Sequence, residues 1–125
     1  MEAKWILNYE VYFSAAHYLP GHATCANMHG HNYKVTVSIG TQHLVDDMVI
    51  DFGLVKYTVR SVLKKIDHDI LNHFVVIPTA EHIAEYLFKE LVGALRDDSP
   101  ERPMKLVAIT VEETPGCSVT YSEEK

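Results

Sequence analysis

The order of the hydrophobic patterns along the chain limits its fold more than any other feature of the sequence. Residues 6–13 are rich in aromatic and branched side chains, and residues 33–39 alternate with period two, which is typical of strands. Two segments with helical spacing follow, and residues 106–111 and 118–121 then have the pattern of two closing strands. This order predicts an α+β fold, an antiparallel four-stranded sheet with two helices on one face.

Each predicted helix is preceded by a residue that can cap it. Asp51 can cap the first helix, and Thr79 can cap the second, where Glu81 in the first turn suits the helix dipole. The apolar residues of the first helix recur at helical spacing: Leu54, Val55, Val59, Val62, Leu63 and Ile66. Between the first two strands, residues 15–31 have no period, which predicts a long loop of the kind that often carries function.

The composition indicates one globular domain, residues 1–125, because 47% of the residues are hydrophobic and 22% are charged. The formal net charge of -6 argues against nucleic acid or a membrane as partner, since both attract clustered Lys and Arg. No apolar run is long enough to cross a bilayer, and the first residues lack the pattern of a signal peptide. We therefore expect a cytoplasmic protein with free thiols, in which Cys117 is a small packed residue.

Three histidines are candidate ligands of one metal ion. His29 and His31 are two residues apart at the start of a predicted strand, so their side chains share a face. Because the chain has eight histidines, two stacked surface histidines are the alternative for this pair alone. His17 follows the first strand, whose end an antiparallel neighbour would bring near the start of the second. Three imidazoles with one open position are typical of a catalytic zinc site, although His17 could instead be a half-buried residue bonded to the backbone.

A cysteine lies close to these histidines in the sequence. Cys25 precedes His29 by four residues, so it can face the same cavity without taking the last position on the metal. A nearby cation lowers the pKa of a thiol, which favours thiolate at neutral pH. The sequence therefore predicts Cys25 as a general base or nucleophile.

Two acidic positions allow a functional and a simpler interpretation. Asp67 precedes His68 after the first helix and could orient the imidazole as a proton relay, whereas a histidine that only suits the helix C-terminus is equally compatible. Of Glu112 and Glu113, one alternates inward. That carboxylate could accept hydrogen bonds from two N–H groups on the guanidine-like edge of a ring. The simpler interpretation is that Glu112 and Glu113 are both exposed acidic residues of a turn.

The chain resembles the family of 6-pyruvoyltetrahydropterin and 6-carboxytetrahydropterin synthases over nearly its whole length. Six separate motifs in the same order carry the resemblance. They are FSAAH at 13–17, CANMHGHNY at 25–33, IDF at 50–52, DH at 67–68 with LN at 71–72, PTAE at 78–81 and ET at 113–114. His82 departs from the Asn that the family usually has after the Thr-x-Glu triplet.

The resemblance implies a tunnelling fold, in which trimers close their sheets into a barrel and two trimers stack as a hexamer. Active sites would lie between subunits. His17, His29 and His31 would bind Zn²⁺, and Cys25 would accept a proton from the substrate. A pterin triphosphate would be the small-molecule substrate.

The resemblance also implies roles for five other residues. Asp67 and His68, supplied by a neighbouring subunit, would complete the proton relay. Glu113 would take part in this relay and would anchor the pterin ring. Thr79 and Glu81 would line the pterin pocket.

Three residues separate Cys25 from His29, as in bacterial and archaeal 6-carboxytetrahydropterin synthases of the queuosine pathway. The resemblance thus favours conversion of 7,8-dihydroneopterin triphosphate into 6-carboxy-5,6,7,8-tetrahydropterin, with release of acetaldehyde and triphosphate. The alternative is a 6-pyruvoyltetrahydropterin synthase, which eliminates triphosphate. A zinc hydrolase and a non-catalytic, zinc-stabilised pterin-binding module are further alternatives, which the sequence leaves open.

Overall fold

A four-stranded antiparallel sheet organises the computed structural model, which describes residues 2–21, 27–95 and 104–123. The strands lie in the order β1 to β4 across the sheet: β1 (Trp5–His17), β2 (His29–Thr41), β3 (Lys105–Thr114) and β4 (Cys117–Tyr121). The helices are α1 (Phe52–Leu63) and α2 (Ala80–Ala94), with a 3₁₀ turn at Leu71–His73 between them. The predicted α+β fold is confirmed.

Alternation along β2 separates a core face of the sheet from a polar face. Tyr33, Val35 and Val37 are fully buried, and with apolar residues of α1 and α2 they form a single hydrophobic cluster. The residues between them face the other way, where Lys34 forms an ion pair with Glu10 of β1 at 2.9 Å. This one-sided burial is the pattern of an antiparallel sheet covered by helices on one face.

The first two strands are longer than their sequence pattern predicts. The prediction that residues 15–31 form one long loop is wrong at both ends, because residues 15–17 pair with residues 29–31 in the β1–β2 ladder. Ala and Gly have weak strand propensity, so these ends carry little local signal. Backbone pairing with the neighbouring strand stabilises them instead, and the connection is shorter than expected.

Both predicted helix caps are confirmed. The Asp51 carboxylate accepts a hydrogen bond from the backbone N–H of Leu54 at 3.1 Å, and the Thr79 hydroxyl accepts one from that of His82 at 3.3 Å.

Of the helices in the described ranges, none is long and apolar enough to cross a membrane. The prediction that Cys117 is packed is wrong: it is exposed, because it begins the short edge strand β4, whose side chains are largely exposed.

The cap of α1 provides a test of the fold. Replacing Asp51 with Ala should lower the free energy of unfolding by about 1 kcal/mol, because the Leu54 N–H loses its acceptor. Urea unfolding at a fixed protein concentration measures the effect. Asp51→Asn retains an acceptor and should stay near the wild-type midpoint; equal losses in both variants would contradict the capping role.

Candidate metal centre

The register of β1 and β2 brings three histidines to one end of the sheet. His17 lies directly opposite His29, and His31 lies two residues further along β2, opposite Ala15. The three imidazoles form mutual edge contacts, with ring centroids 4.5 to 5.3 Å apart.

Glu113 of β3 completes the cluster. A β-bulge between Glu112 and Thr114 interrupts the pairing with β4, and Glu113 turns toward the histidines. Its neighbour Glu112 faces the other way and accepts a hydrogen bond from the backbone N–H of Gly116 at 3.0 Å. Of the two acidic residues, Glu113 is therefore the one whose side chain points inward. The alternative interpretation, an exposed acidic residue of a turn, does not hold for Glu113.

The donor atoms lie at distances that suit a small metal ion. Nε2 of His17 is 3.0 Å from Nε2 of His29 and 3.0 Å from Oε1 of Glu113, which is 3.2 Å from Nε2 of His31. One ligand atom from each of the four residues lies within 4.8 Å of all the others. Tetrahedral zinc, with Zn–N distances of about 2.0–2.1 Å, spaces its ligand atoms by about 3.3 Å. The residues present fit zinc.

Two backbone carbonyls determine which imidazole nitrogens face the centre. Nδ1 of His17 is 2.8 Å from the carbonyl oxygen of Pro78, and Nδ1 of His29 is 2.8 Å from that of Asn27. A carbonyl only accepts hydrogen bonds, so each Nδ1 carries the proton that it donates. In the neutral rings, Nε2 then presents a lone pair. Lone pairs and a carboxylate converge on one point, where a bound cation would satisfy them together.

Burial favours the neutral, metal-binding form of the His31 imidazole. Desolvation lowers the pKa of His31, the Glu113 carboxylate opposes the shift, and His17 and His29 reinforce it. A lowered pKa keeps the imidazole neutral at neutral pH, which is the form that binds metal.

Tyr33 forms the floor of the centre and is absent from the predicted site. Its ring stacks on Phe13 at 5.0 Å and contacts the edges of His17 and His31. Its hydroxyl oxygen is 3.2 Å from Nδ1 of His17. Burial, and secondarily Glu113, raise the pKa of Tyr33, so the hydroxyl keeps its proton. Strand alternation places Tyr33 on the same face as His29 and His31, and this signal could have identified it.

Asp67 and His68 lie in contact with each other, outside the four-residue cluster. The Asp67 carboxylate accepts the backbone N–H of Ser14 at 2.9 Å and lies 3.0 Å from Nδ1 of His68. His68 has a left-handed backbone with φ +62° and a side chain that is 79% exposed. Together with His31 it lines an open cleft of about 450 Å³ beside the ends of β1 and β2.

The other predicted site residues lie at the start of α2 or outside the described ranges. Thr79 follows Pro78, whose carbonyl holds His17, so the cap of α2 adjoins the histidines. Glu81 is exposed in the first turn of the helix. Cys25 falls in residues 22–26, outside the described part of the chain. The Pro78 and Asn27 carbonyls are functional groups that no side-chain pattern could reveal.

The sequence profile described as 6-pyruvoyl tetrahydropterin synthase matches residues 6–124. The chain belongs to the 6-pyruvoyl tetrahydropterin synthase family. The predicted membership is therefore confirmed, and it places the chain among pterin synthase enzymes.

Two relatives and one solved structure show how far the similarity extends. A protein of Archaeoglobus fulgidus, provisionally named 6-carboxy-5,6,7,8-tetrahydropterin synthase, is 44% identical over 91 residues, covering 73% of this chain and 79% of that protein. The Bacillus subtilis 6-carboxy-5,6,7,8-tetrahydropterin synthase is 28% identical over 130 residues, covering 95% and 86%. The structure of Caenorhabditis elegans 6-pyruvoyl tetrahydropterin synthase has a TM-score of 0.77 at 30% identity, covering 99% of this chain and 100% of that chain. The predicted tunnelling fold is confirmed for the single chain, whose sheet and two helices match that structure.

The ligand assignment can be tested by metal content. His31→Ala removes one of the converging lone pairs, and the purified variant should lose most of its zinc in elemental analysis. His43→Ala, at an exposed position after β2, is the matched control and should retain the wild-type content. An undiminished zinc content in His31→Ala would remove this residue from the ligand set.

Proposed function

We propose that this protein is a zinc-dependent lyase that converts 7,8-dihydroneopterin triphosphate into 6-carboxy-5,6,7,8-tetrahydropterin, releasing acetaldehyde and triphosphate. The observation that carries the proposal is the convergence of three imidazoles and one carboxylate on a single point. The names of the A. fulgidus and B. subtilis relatives support the carboxy-forming reaction. So does the spacing of three residues between Cys25 and His29.

In this proposal His17, His29 and His31 hold the metal. Zinc bound there supplies Lewis-acid chemistry, which acidifies the side-chain hydroxyls of the substrate and stabilises negative charge next to them. The protein contributes rigidity: the imidazoles come from paired strands, and Pro78 and Asn27 fix two of the rings. Ligands held this way need little reorganisation when charge develops.

Two groups of the chain move protons. Cys25 takes the carbon-bound proton of the substrate side chain, because thiolate is favoured beside the positive metal centre. His68 exchanges further protons through Nε2, since its Nδ1 is held by Asp67. The exposure of His68 at the edge of β1 suits delivery into the site of a neighbouring subunit, as expected for a hexamer of two stacked trimers.

Three residues orient the substrate. Glu113 accepts two N–H donors from the guanidine-like edge of the pterin ring, while Thr79 and Glu81 at the start of α2 line the pocket. A ring held at this edge directs its side chain toward the metal in one orientation, which lowers the entropic cost of reaching the transition state.

A 6-pyruvoyltetrahydropterin synthase is the second candidate, because the C. elegans enzyme of that name shares 30% identity and a TM-score of 0.77. The two reactions use the same types of group and differ in how the side chain is positioned. A non-catalytic pterin-binding module is the third possibility and would leave the substrate intact.

Product analysis distinguishes these candidates. Purified protein incubated with 7,8-dihydroneopterin triphosphate should form 6-carboxytetrahydropterin, identified by mass spectrometry, together with an equal amount of acetaldehyde. Pyruvoyl product without acetaldehyde would establish the second candidate instead. Unchanged substrate that co-elutes with the protein would indicate the binding module.

The thiol can be tested with the second cysteine as control. Cys25→Ala should lower kcat by about 10²- to 10⁴-fold, because it removes the proton acceptor and leaves the histidines in place. Its zinc content and its affinity for the pterin should stay close to wild type. Cys117→Ala alters an exposed thiol on β4 and should be fully active. Full activity in Cys25→Ala would exclude the thiol from the mechanism.

A further inference from the structure

The buried hydroxyl of Tyr33 is not required for the packing of the core. The side chain of Tyr33 is 0% exposed and belongs to the hydrophobic cluster. A phenylalanine would fill this position without burying a hydroxyl, which costs free energy unless the hydroxyl forms a hydrogen bond. Among the residues that the structure describes, this hydroxyl has one hydrogen-bond partner, Nδ1 of His17 at 3.2 Å.

We propose that Tyr33 is a positioning residue of the metal centre and holds His17 in the orientation that binds the ion. The N–H group at Nδ1 of His17 donates to the carbonyl oxygen of Pro78 at 2.8 Å, and the Tyr33 hydroxyl oxygen is its second acceptor. The two oxygens together direct Nε2 toward the centre. This inference rests on the proposed function in one respect: it takes zinc as the ion that His17 binds.

The neighbours of Tyr33 fix the position of its hydroxyl. The ring stacks on Phe13, with the two planes 13° apart and the centroids 5.0 Å apart. His17 and His31 contact the same ring at steep angles of 87° and 68°, with centroids 5.9 and 5.8 Å away. In a fully buried position packed in this way, the hydroxyl cannot move away from His17 without displacing buried neighbours.

The three histidines differ in the number of oxygens that hold Nδ1. His17 has two such oxygens, and its side chain is 1% exposed. His29 has one, the carbonyl oxygen of Asn27 at 2.8 Å. The described residues provide no acceptor for Nδ1 of His31, whose side chain is 23% exposed. His17 is therefore the most restrained of the three ligands, and Tyr33 supplies the contact that distinguishes it from His29.

Metal binding and the contact with Tyr33 stabilise each other. An ion at Nε2 withdraws electron density from the imidazole, so the N–H group at Nδ1 of His17 becomes a stronger donor. A second acceptor therefore stabilises the metal-bound protein more than the metal-free protein. Loss of an outer contact of this kind lowers metal affinity by about 10- to 100-fold. Because Pro78 remains as an acceptor, we expect the lower end of this range for the hydroxyl alone.

The first experiment measures zinc affinity by competition with a chromophoric chelator. Tyr33→Phe removes only the hydroxyl oxygen and should bind zinc about tenfold more weakly than wild type. Tyr9→Phe is the matched control and should bind zinc like wild type. Tyr9 lies on the same face of the sheet, packs against the same core, and its hydroxyl accepts a hydrogen bond from Nε of Arg60 at 3.0 Å. Equal zinc affinity in Tyr33→Phe and wild type would overturn the proposal, and so would equal losses in the two variants.

The second experiment separates positioning from a general loss of stability. Cobalt(II) accepts the same nitrogen and oxygen ligands as zinc, and its visible absorption bands depend on the geometry of those ligands. In cobalt-substituted Tyr33→Phe these bands should shift relative to wild type, whereas the bands of Tyr9→Phe should not. Unchanged bands in Tyr33→Phe would mean that His17 keeps its orientation without the hydroxyl, which contradicts the positioning role.

Neither measurement requires turnover, so failure of the role of Tyr33 and failure of the proposed function are distinguishable. A wild-type protein that binds zinc but forms no 6-carboxytetrahydropterin would refute the reaction and leave the role of Tyr33 intact. Wild-type zinc affinity and turnover in Tyr33→Phe would refute the role of Tyr33 and leave the reaction intact. A wild-type protein that binds no zinc would refute both.

Discussion

The antiparallel register between β1 and β2 is the constraint on which the rest of the structure depends. It places His17 opposite His29 and Ala15 opposite His31, so two strand ends supply three imidazoles on one face. Side chains alternate with period two, and a shift by one residue would move the whole set to the polar face. The same register buries Tyr33 and Val35, so the core and the metal centre are stabilised by a single strand pairing.

The backbone carbonyl of Pro78 connects this sheet to α2. It accepts the Nδ1 proton of His17, and the next residue, Thr79, caps the helix. The start of α2 and the orientation of a buried imidazole are thus coupled through one peptide. Metal sites commonly orient their histidines in this way, and the partner also sets which nitrogen is free for the ion. Here that partner directly precedes the cap of α2, at the start of which the proposed pterin-binding residues lie.

Local patterns predicted the elements well and their ends less well. The caps Asp51 and Thr79 were correct because capping depends on a side chain and a backbone N–H three residues later. The strand ends at 15–17 and 29–31 were missed because their small residues fold as strands only when paired with each other. The general preference of free cysteine for burial predicts a packed Cys117, but the residue is exposed on an edge strand.

By itself, the sequence determined the order of strands and helices, the family, and the three histidines as candidate ligands, because periodicity, motif order and residue chemistry are local properties. Only the tertiary structure decided that Glu113 rather than Glu112 joins these histidines. It also decided which ring nitrogens face the centre. These features depend on a bulge, on backbone carbonyls and on packing between strands that are distant in the chain, so no spacing along the sequence encodes them.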